Sequence, residues 1–254
     1  NMDAKFIDWI ENANRYYNTL VDRIVPGYPR NEDKELWQQL GYIDNNMVVG
    51  EIFHLWVIDG KTVKELEKKL PTKEAGLNVL FVDSIKPYKE RKVKILNGSH
   101  TCLVPVSYLS GIDTVRETIE DPQLNKFVLD FIFNEVVPTI NIPRDQMDSY
   151  ANSVLERYGN PFVRHELMSI ALNSVTKYKT RILPSVLQNL EDLKQFPSHA
   201  LFSLAALIAF YRGKRGNEDI KLADDAWALD MFKELWNDFD GSKEACHKIC
   251  KHVL

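Results

Sequence analysis

The segment RKVKILNGSH, residues 91 to 100, sets an amine, a carboxamide and an imidazole close together. Its apolar positions recur with a helical period. On a helix that turns about 100° per residue, Asn97 and His100 lie three apart and share a face. Lys92 stands eight positions before His100 and is rotated only about 80° from it by the same geometry. One side of such a helix offers an ammonium, a carboxamide and an imidazole to a single small molecule. Gly98 interrupts the pattern at a cost of about 1 kcal/mol relative to alanine. What the helix gains is a gap, where a ligand or another backbone can come close. Two plainer readings stay open on spacing alone. Lys92 can belong to a solvated face with Lys86, Lys89, Arg91 and Lys94, and His100 can be a satisfied core histidine.

The elements that must position these residues follow from the rest of the chain. Its 254 residues are 44% hydrophobic and 27% charged, with a net charge of −4. That suits one large domain or two small ones, and the mild acidity argues against nucleic acid or an anionic membrane as partner. The longest apolar run, ALFSLAALIAFY at 200 to 211, falls short of the roughly 20 residues a bilayer requires and predicts a buried core helix. Cys102, Cys246 and Cys250 form no disulfide framework, and the front of the chain does not read as a signal peptide, which points to the cytoplasm. The eleven glycines are scattered. None falls in a G-x-G-x-x-G pattern, so the usual phosphate cradle for a dinucleotide is not encoded.

Residues 4 to 14 place Phe6, Ile7 and Ile10 on one helical face, before the breaker VPGYP at 25 to 29. MVVGEIFHLWVID (47 to 59) and LNVLFVD (77 to 83) read as strands. TVKELEKKL between them reads as a short helix, with Thr62 and Glu65 in capping-box spacing. From Pro87 onward the pattern is helical: 88 to 109, 113 to 136, 143 to 158, 163 to 175, 180 to 195, 198 to 212, 222 to 237 and 242 to 252. The predicted architecture is mainly α, with a small β element near the N-terminus. Trp227, Phe232, Trp236 and Phe239 have helical spacing and read as core. Cys246, His247, Cys250 and His252 crowd one short helix, whereas zinc sites draw ligands from separate segments, so no metal is expected. The basic run from Lys86 to Lys94, interrupted by Glu90, reads as a solvated helix start.

KVKILNGSH resembles the signature of the polyol-specific long-chain dehydrogenase family: Lys, four residues, Asn, two residues, His. Lys92, Asn97 and His100 match all three positions. YYNTLVDRIVPGYP is similar to an upstream family segment that places Asn18 on a second site asparagine. GEIFHLWVIDG resembles a Glu-x-Phe-x-x-Trp-Val segment, with Glu51, Phe53 and Trp56 in place. RYGNPFVRHELMSIALNSVTKYKTRILP, 157 to 184, resembles the later substrate-side segment, where Lys177 matches a substrate-contacting lysine and Asn173 lies just before it. The polyol members place a serine- and glycine-containing element before that lysine, where this chain has Asn173-Ser174-Val175-Thr176. They carry an arginine where Ser169 stands. A sugar acid is therefore the expected substrate, rather than a polyol.

The resemblance implies NAD-dependent oxidation and reduction of a secondary alcohol. Lys92 would be the general acid/base, a role a lysine can fill if burial and neighbouring positive charge lower its pKa. Asn18 and Asn97 would stabilise the alkoxide, His100 would orient it, and Lys177, Glu51 and Asn173 would hold the substrate. The fold implied is a multi-helix dehydrogenase domain like the C-terminal domain of phosphogluconate dehydrogenase. Residues 1 to 45 would be the end of a cofactor-binding domain and linker, and 46 to 254 the helical catalytic domain. NAD would be bound mainly by a Rossmann domain absent from the chain. The alternatives are fructuronate reductase, a mannitol-type dehydrogenase with the same catalytic set, and a non-catalytic helical interaction domain.

Overall fold

The computed structural model describes residues 2–253. The chain forms two compact units, Asn1–Lys92 and Val93–Leu254. The division falls at Lys92.

The first unit runs α1 (Ala4–Ala13), β1 (Asn18–Asp22), α2 (Asp33–Leu40), β2 (Leu55–Asp59), α3 (Val63–Lys69), β3 (Val79–Val82) and α4 (Lys86–Arg91). Its sheet has the order β1-β2-β3. β1 pairs antiparallel with β2, setting Val21 opposite Trp56, and β2 pairs parallel with β3, setting Val57 opposite Leu80. A parallel pair needs a crossover; α3 supplies it. Val57 and Ile58 are both buried, although they point to opposite faces, so this strand is covered on two sides.

Two expectations change here. The strand expected over 47 to 59 is ladder-paired only from Leu55, because the preceding residues are used otherwise: Val49 makes an isolated bridge to Gly27 and Glu51 bonds Ile24. Thr62 does precede α3, but its side chain makes no cap. Its hydroxyl bonds the Tyr17 hydroxyl at 2.8 Å instead.

The second unit continues the same helical run through a π-helical segment (Lys92–Asn97, whose first residue closes the first unit) into α5 (Gly98–Leu109). Then follow α6 (Val115–Glu120), α7 (Pro122–Asp130), a second π segment (Phe131–Val136), a short 3₁₀ turn (Val137–Thr139), α8 (Arg144–Tyr158), α9 (Leu167–Ile170), α10 (Ser174–Arg181), α11 (Leu183–Glu191) and α12 (Ser198–Phe210). A small hairpin of β4 (Lys214–Arg215) and β5 (Glu218–Asp219) precedes α13 (Ala226–Asn237) and α14 (Lys243–Val253). Every residue from Gly98 to Ser107 is buried, so α5 is the axis of this unit. It packs against α6, α7, α9, α10 and α12.

α12, the expected core helix, is buried on one face only: Leu204 and Leu207 are buried while the equally apolar Phe202 is exposed. The aromatic group on α13 is likewise only partly core. Phe232 is buried, Trp227 is half exposed, and Trp236 donates its indole N–H to Ile208 at 3.1 Å. The true capping box is at α6, where Thr114 and Glu117 cap each other's backbone. The helix expected over 163 to 175 is broken. Val115 and Leu167 donate backbone hydrogen bonds to His165 and Asp113, and Thr114 and Glu166 form a bridge, which holds that stretch extended. Among the described residues no helix is long and apolar enough to cross a membrane.

Candidate functional site

Lys92 opens the π segment, so the helix that carries the motif is α, then π, then α. Hydrogen bonds from residue i to i+5 widen that turn, and the 100° step that set Lys92 near the azimuth of His100 does not hold through it. Asn97 and His100 keep their shared face, because α geometry resumes at Gly98. π turns of this kind recur at functional positions. The junction is pinned from within the second unit. Tyr158 donates its hydroxyl to the Leu96 carbonyl at 2.8 Å, and Ser99 bonds that hydroxyl at 2.7 Å.

In the first unit, Lys92 donates its ammonium to the Val21 carbonyl at 2.6 Å, on the strand that begins with Asn18. Asn18 donates its carboxamide to Asp59 at 2.8 Å, and the other oxygen of Asp59 accepts the Ile85 amide at 2.6 Å. Asp59 therefore ties Asn18 to the residue that starts α4, a positioning role that sequence spacing did not reveal. Glu51 is buried and accepts the Ile24 amide at 2.6 Å, so its carboxylate organises the turn after β1. Arg91 lies over the Tyr88 ring, 4.9 Å from its centre.

In the second unit, Asn97 is half-buried and its carboxamide makes no hydrogen bond among the described residues. His100 is 6% exposed and packs on Tyr158 and His165, with ring centres 4.3 and 4.9 Å away. Its Nε2 is buried without a hydrogen-bond partner. It is not a satisfied core histidine. Burial, then the neighbouring His165, Arg181, Arg157 and Lys177, hold its pKa well below the ordinary value. Burial also pushes His165 down to about 4, so both imidazoles are neutral near pH 7. Lys94 is not a free neighbour in a basic run: its ammonium donates to the Thr139 carbonyl at 2.8 Å.

α10 carries the later residues. Asp224 accepts the Val175 amide at the helix start and is itself bonded by the Tyr211 hydroxyl, which anchors the first turn from a distance. Asn173 precedes that turn in the left-handed region at φ 54° and donates its amide to Ala223 at 3.0 Å. Lys177 donates to the Ile170 carbonyl at 2.7 Å. Burial first, then Arg181, lowers its pKa, against the raising influence of Asp224.

Gly98 faces protein. A Cβ there would stand 3.4 Å from the Arg181 carbonyl and 3.5 Å from that of Val93. The gap admits the end of α10, and both contacts are ordinary van der Waals distances. Replacing Gly98 by alanine is therefore expected to shift unfolding free energy by less than about 1 kcal/mol, because gained helix propensity offsets the filled gap. Chemical denaturation checks this, and a loss above about 2 kcal/mol would show that the contact has no slack.

The turn from β2 into α3 contains Gly60, where the phosphate cradle for a dinucleotide begins in a strand-turn-helix unit. A Cβ at Gly60 would meet Tyr17 Cδ1 at 2.8 Å and the Tyr16 carbonyl at 2.9 Å. Tyrosine and main chain fill that space, so this turn does not fit a pyrophosphate.

Residues 84–249 match the family model for the mannitol dehydrogenase C-terminal domain, and residues 1–72 match that for the mannitol dehydrogenase Rossmann domain. Rossmann-type sequence is thus present in the chain and extends past the expected limit at residue 45. Altronate oxidoreductase of Enterobacter sp. (strain 638) is 45% identical over 253 residues, covering 100% of this chain and 52% of the relative. That of Yersinia enterocolitica is 49% identical, covering 93% and 48%. The chain spans about half the length of these curated relatives. Among solved structures, the Pseudomonas fluorescens mannitol 2-dehydrogenase complex with NAD and D-mannitol shares the fold at a TM-score of 0.76 and 24% identity, covering 93% of this chain and 47% of that one. A substrate-free D-sorbitol dehydrogenase has the same score and identity, covering 98% and 54%. By its match over the helical unit, the chain belongs to the mannitol dehydrogenase family.

Proposed function

We propose that this chain carries the substrate side of an NAD-dependent reductase that interconverts tagaturonate and altronate. The observation that carries the reading is the α-π-α helix, which presents Lys92, Asn97 and His100 in family order, with a buried imidazole nitrogen left unsatisfied. The names of the relatives at 45% and 49% identity support the sugar acid.

When bound, the cofactor would supply the hydride as NADH in the reducing direction and accept it as NAD in the oxidising one; what the chain's own residues do concerns the proton and the substrate. In the reducing direction Lys92 gives a proton from Nζ to the carbonyl oxygen as that oxygen gains negative charge, and in the oxidising direction it takes the proton back. Asn18 and Asn97 are the carboxamide N–H donors suited to such an oxygen; one donor of this kind is typically worth about 3 kcal/mol in the transition state. Asp59 holds the Asn18 amide in orientation. His100, neutral, orients the substrate hydroxyl. Lys177, Asn173 and Glu51 belong to the substrate side.

The test compares turnover of tagaturonate, fructuronate and fructose with NADH by the active enzyme. Tagaturonate is expected to give the highest kcat/KM. A preference for fructuronate or fructose would replace the reading with a fructuronate reductase or a mannitol-type dehydrogenase, respectively.

A further inference from the structure

We propose that Arg181, beside Lys177 on α10, is the specificity residue that binds the carboxylate of the substrate. The proposal rests on the sugar-acid reading and deepens it.

Arg181 is half-buried at the last position of α10. Among the described residues no carboxylate lies within ion-pair distance of it. The hydrogen bond its guanidinium makes is a long one, 3.3 Å to the Thr101 hydroxyl. Burial lowers its pKa, so the site leaves the charge undercompensated. A buried cation without a counter-ion is costly. This chain has 36 acidic residues with which to pair it. Elsewhere it does so, as between Arg116 and Glu120 or Arg144 and Asp148. Lys177 lies four residues earlier on the same helix face and also lacks a carboxylate within ion-pair distance among the described residues.

An independent observation points to the same place. The buried Nε2 of His100 has no partner among the described residues, and after His165 the groups that act on it electrostatically, Arg181 and Lys177 of α10 among them, are basic. Thr101, which Arg181 touches, is the next residue in α5. Arg181 and Lys177, one turn apart on α10, therefore offer positive charge with no carboxylate paired to either among the described residues. A planar guanidinium matches a carboxylate in a bidentate fork, which a lone ammonium does not. Ser169 fits this division of labour. It is exposed and spends its hydroxyl on the Glu166 carbonyl, so it supplies no charge.

The experiment measures kcat and KM of Arg181→Gln and Arg181→Lys in the active enzyme, with tagaturonate, with fructose and with varied NADH. The KM for tagaturonate is expected to rise on the order of 10- to 100-fold in Arg181→Gln, as for loss of a hydrogen-bonded charge. kcat, the KM for NADH and the kcat/KM for fructose should stay within a few-fold, and Arg181→Lys should recover part of the loss. An unchanged tagaturonate KM would overturn the proposal. So would an equal loss on both substrates, which is a structural effect, or a raised KM for NADH, which would assign the arginine to a cofactor phosphate. If Arg181→Gln does not fold, inhibition of the unmodified enzyme decides: altronate should bind at least about 10-fold more tightly than altritol, which lacks the carboxylate, and equal binding refutes the site. An unmodified enzyme that reduces fructose and no keto sugar acid would instead sink the functional reading, and the carboxylate site with it. Normal tagaturonate turnover with an indifferent Arg181→Gln would sink the site alone.

Discussion

Replacing Lys92 by alanine is expected to lower kcat for tagaturonate reduction by about 10²- to 10⁴-fold, the usual contribution of a positioned general acid/base. The fold should survive. The ammonium donates to the Val21 carbonyl at 2.6 Å, and a hydrogen bond from a charged donor contributes about 2 kcal/mol net, a small part of a domain's stability. The two effects therefore separate: a folded protein with a cooperative melting curve shifted by a few degrees, and turnover nearly abolished. Lys92→Arg sharpens the test, because arginine keeps the positive charge but does not give up its proton near neutral pH. If positive charge were the whole contribution, Lys92→Arg would retain activity. If proton transfer is the contribution, it should be about as impaired as the alanine variant. Turnover within a few-fold of normal in Lys92→Ala would leave the helical interaction domain as the better account of the chain.

Much of the second unit is legible in the sequence because proline and glycine punctuate it. Pro143, Pro197, Gly159 and Gly241 fall within two residues of helix ends, and α8, α12 and α14 start within two residues of their expected positions, whereas α13 starts four residues later than expected. Long-range pairings are the part that was not legible. The stretch 163 to 170 has helical periodicity, yet backbone bonds to Asp113 and from Val115 hold it extended, some fifty residues away in sequence. In the first unit, the apolar run before Leu55 looks like strand and is turned aside by Glu51 and Gly27.

The candidate site divides the same way. Lys92, Asn97 and His100 share one short segment, so their spacing was visible. The π turn was not, because no residue type marks it, and it alters the azimuth of Lys92. Asp59 acts on Asn18 across a strand pair, and Arg181 shows its missing counter-ion only once its neighbours are placed. Gly98 shows the limit most plainly. Composition marks it as a gap, and only the fold shows that the backbone of Arg181, and not a substrate, comes up to it.

Glu135 is where the largest loss of stability is expected. It sits 6% exposed on the second π segment and spends both oxygens on the start of α12. Oε1 accepts the His199 amide at 2.8 Å and the His199 imidazole at 2.7 Å, and Oε2 accepts the Ala200 amide at 2.9 Å. Pro197, at the cap position itself, has no side chain able to do this. A carboxylate at the positive end of the helix is favourable through the dipole as well as through the bonds. Glu135→Ala would strand two backbone donors, the Ala200 amide fully buried and the His199 amide partly so, and open a cavity beside a helix that packs on α5. The expected cost is about 3 kcal/mol, from the loss of charge-assisted bonds and the helix cap. Glu135→Gln keeps the shape but replaces one acceptor by a donor facing an N–H, so about half of that loss should remain. Urea denaturation measures both variants. A change below about 1 kcal/mol for Glu135→Ala would mean that water satisfies the start of α12 as well as the carboxylate does.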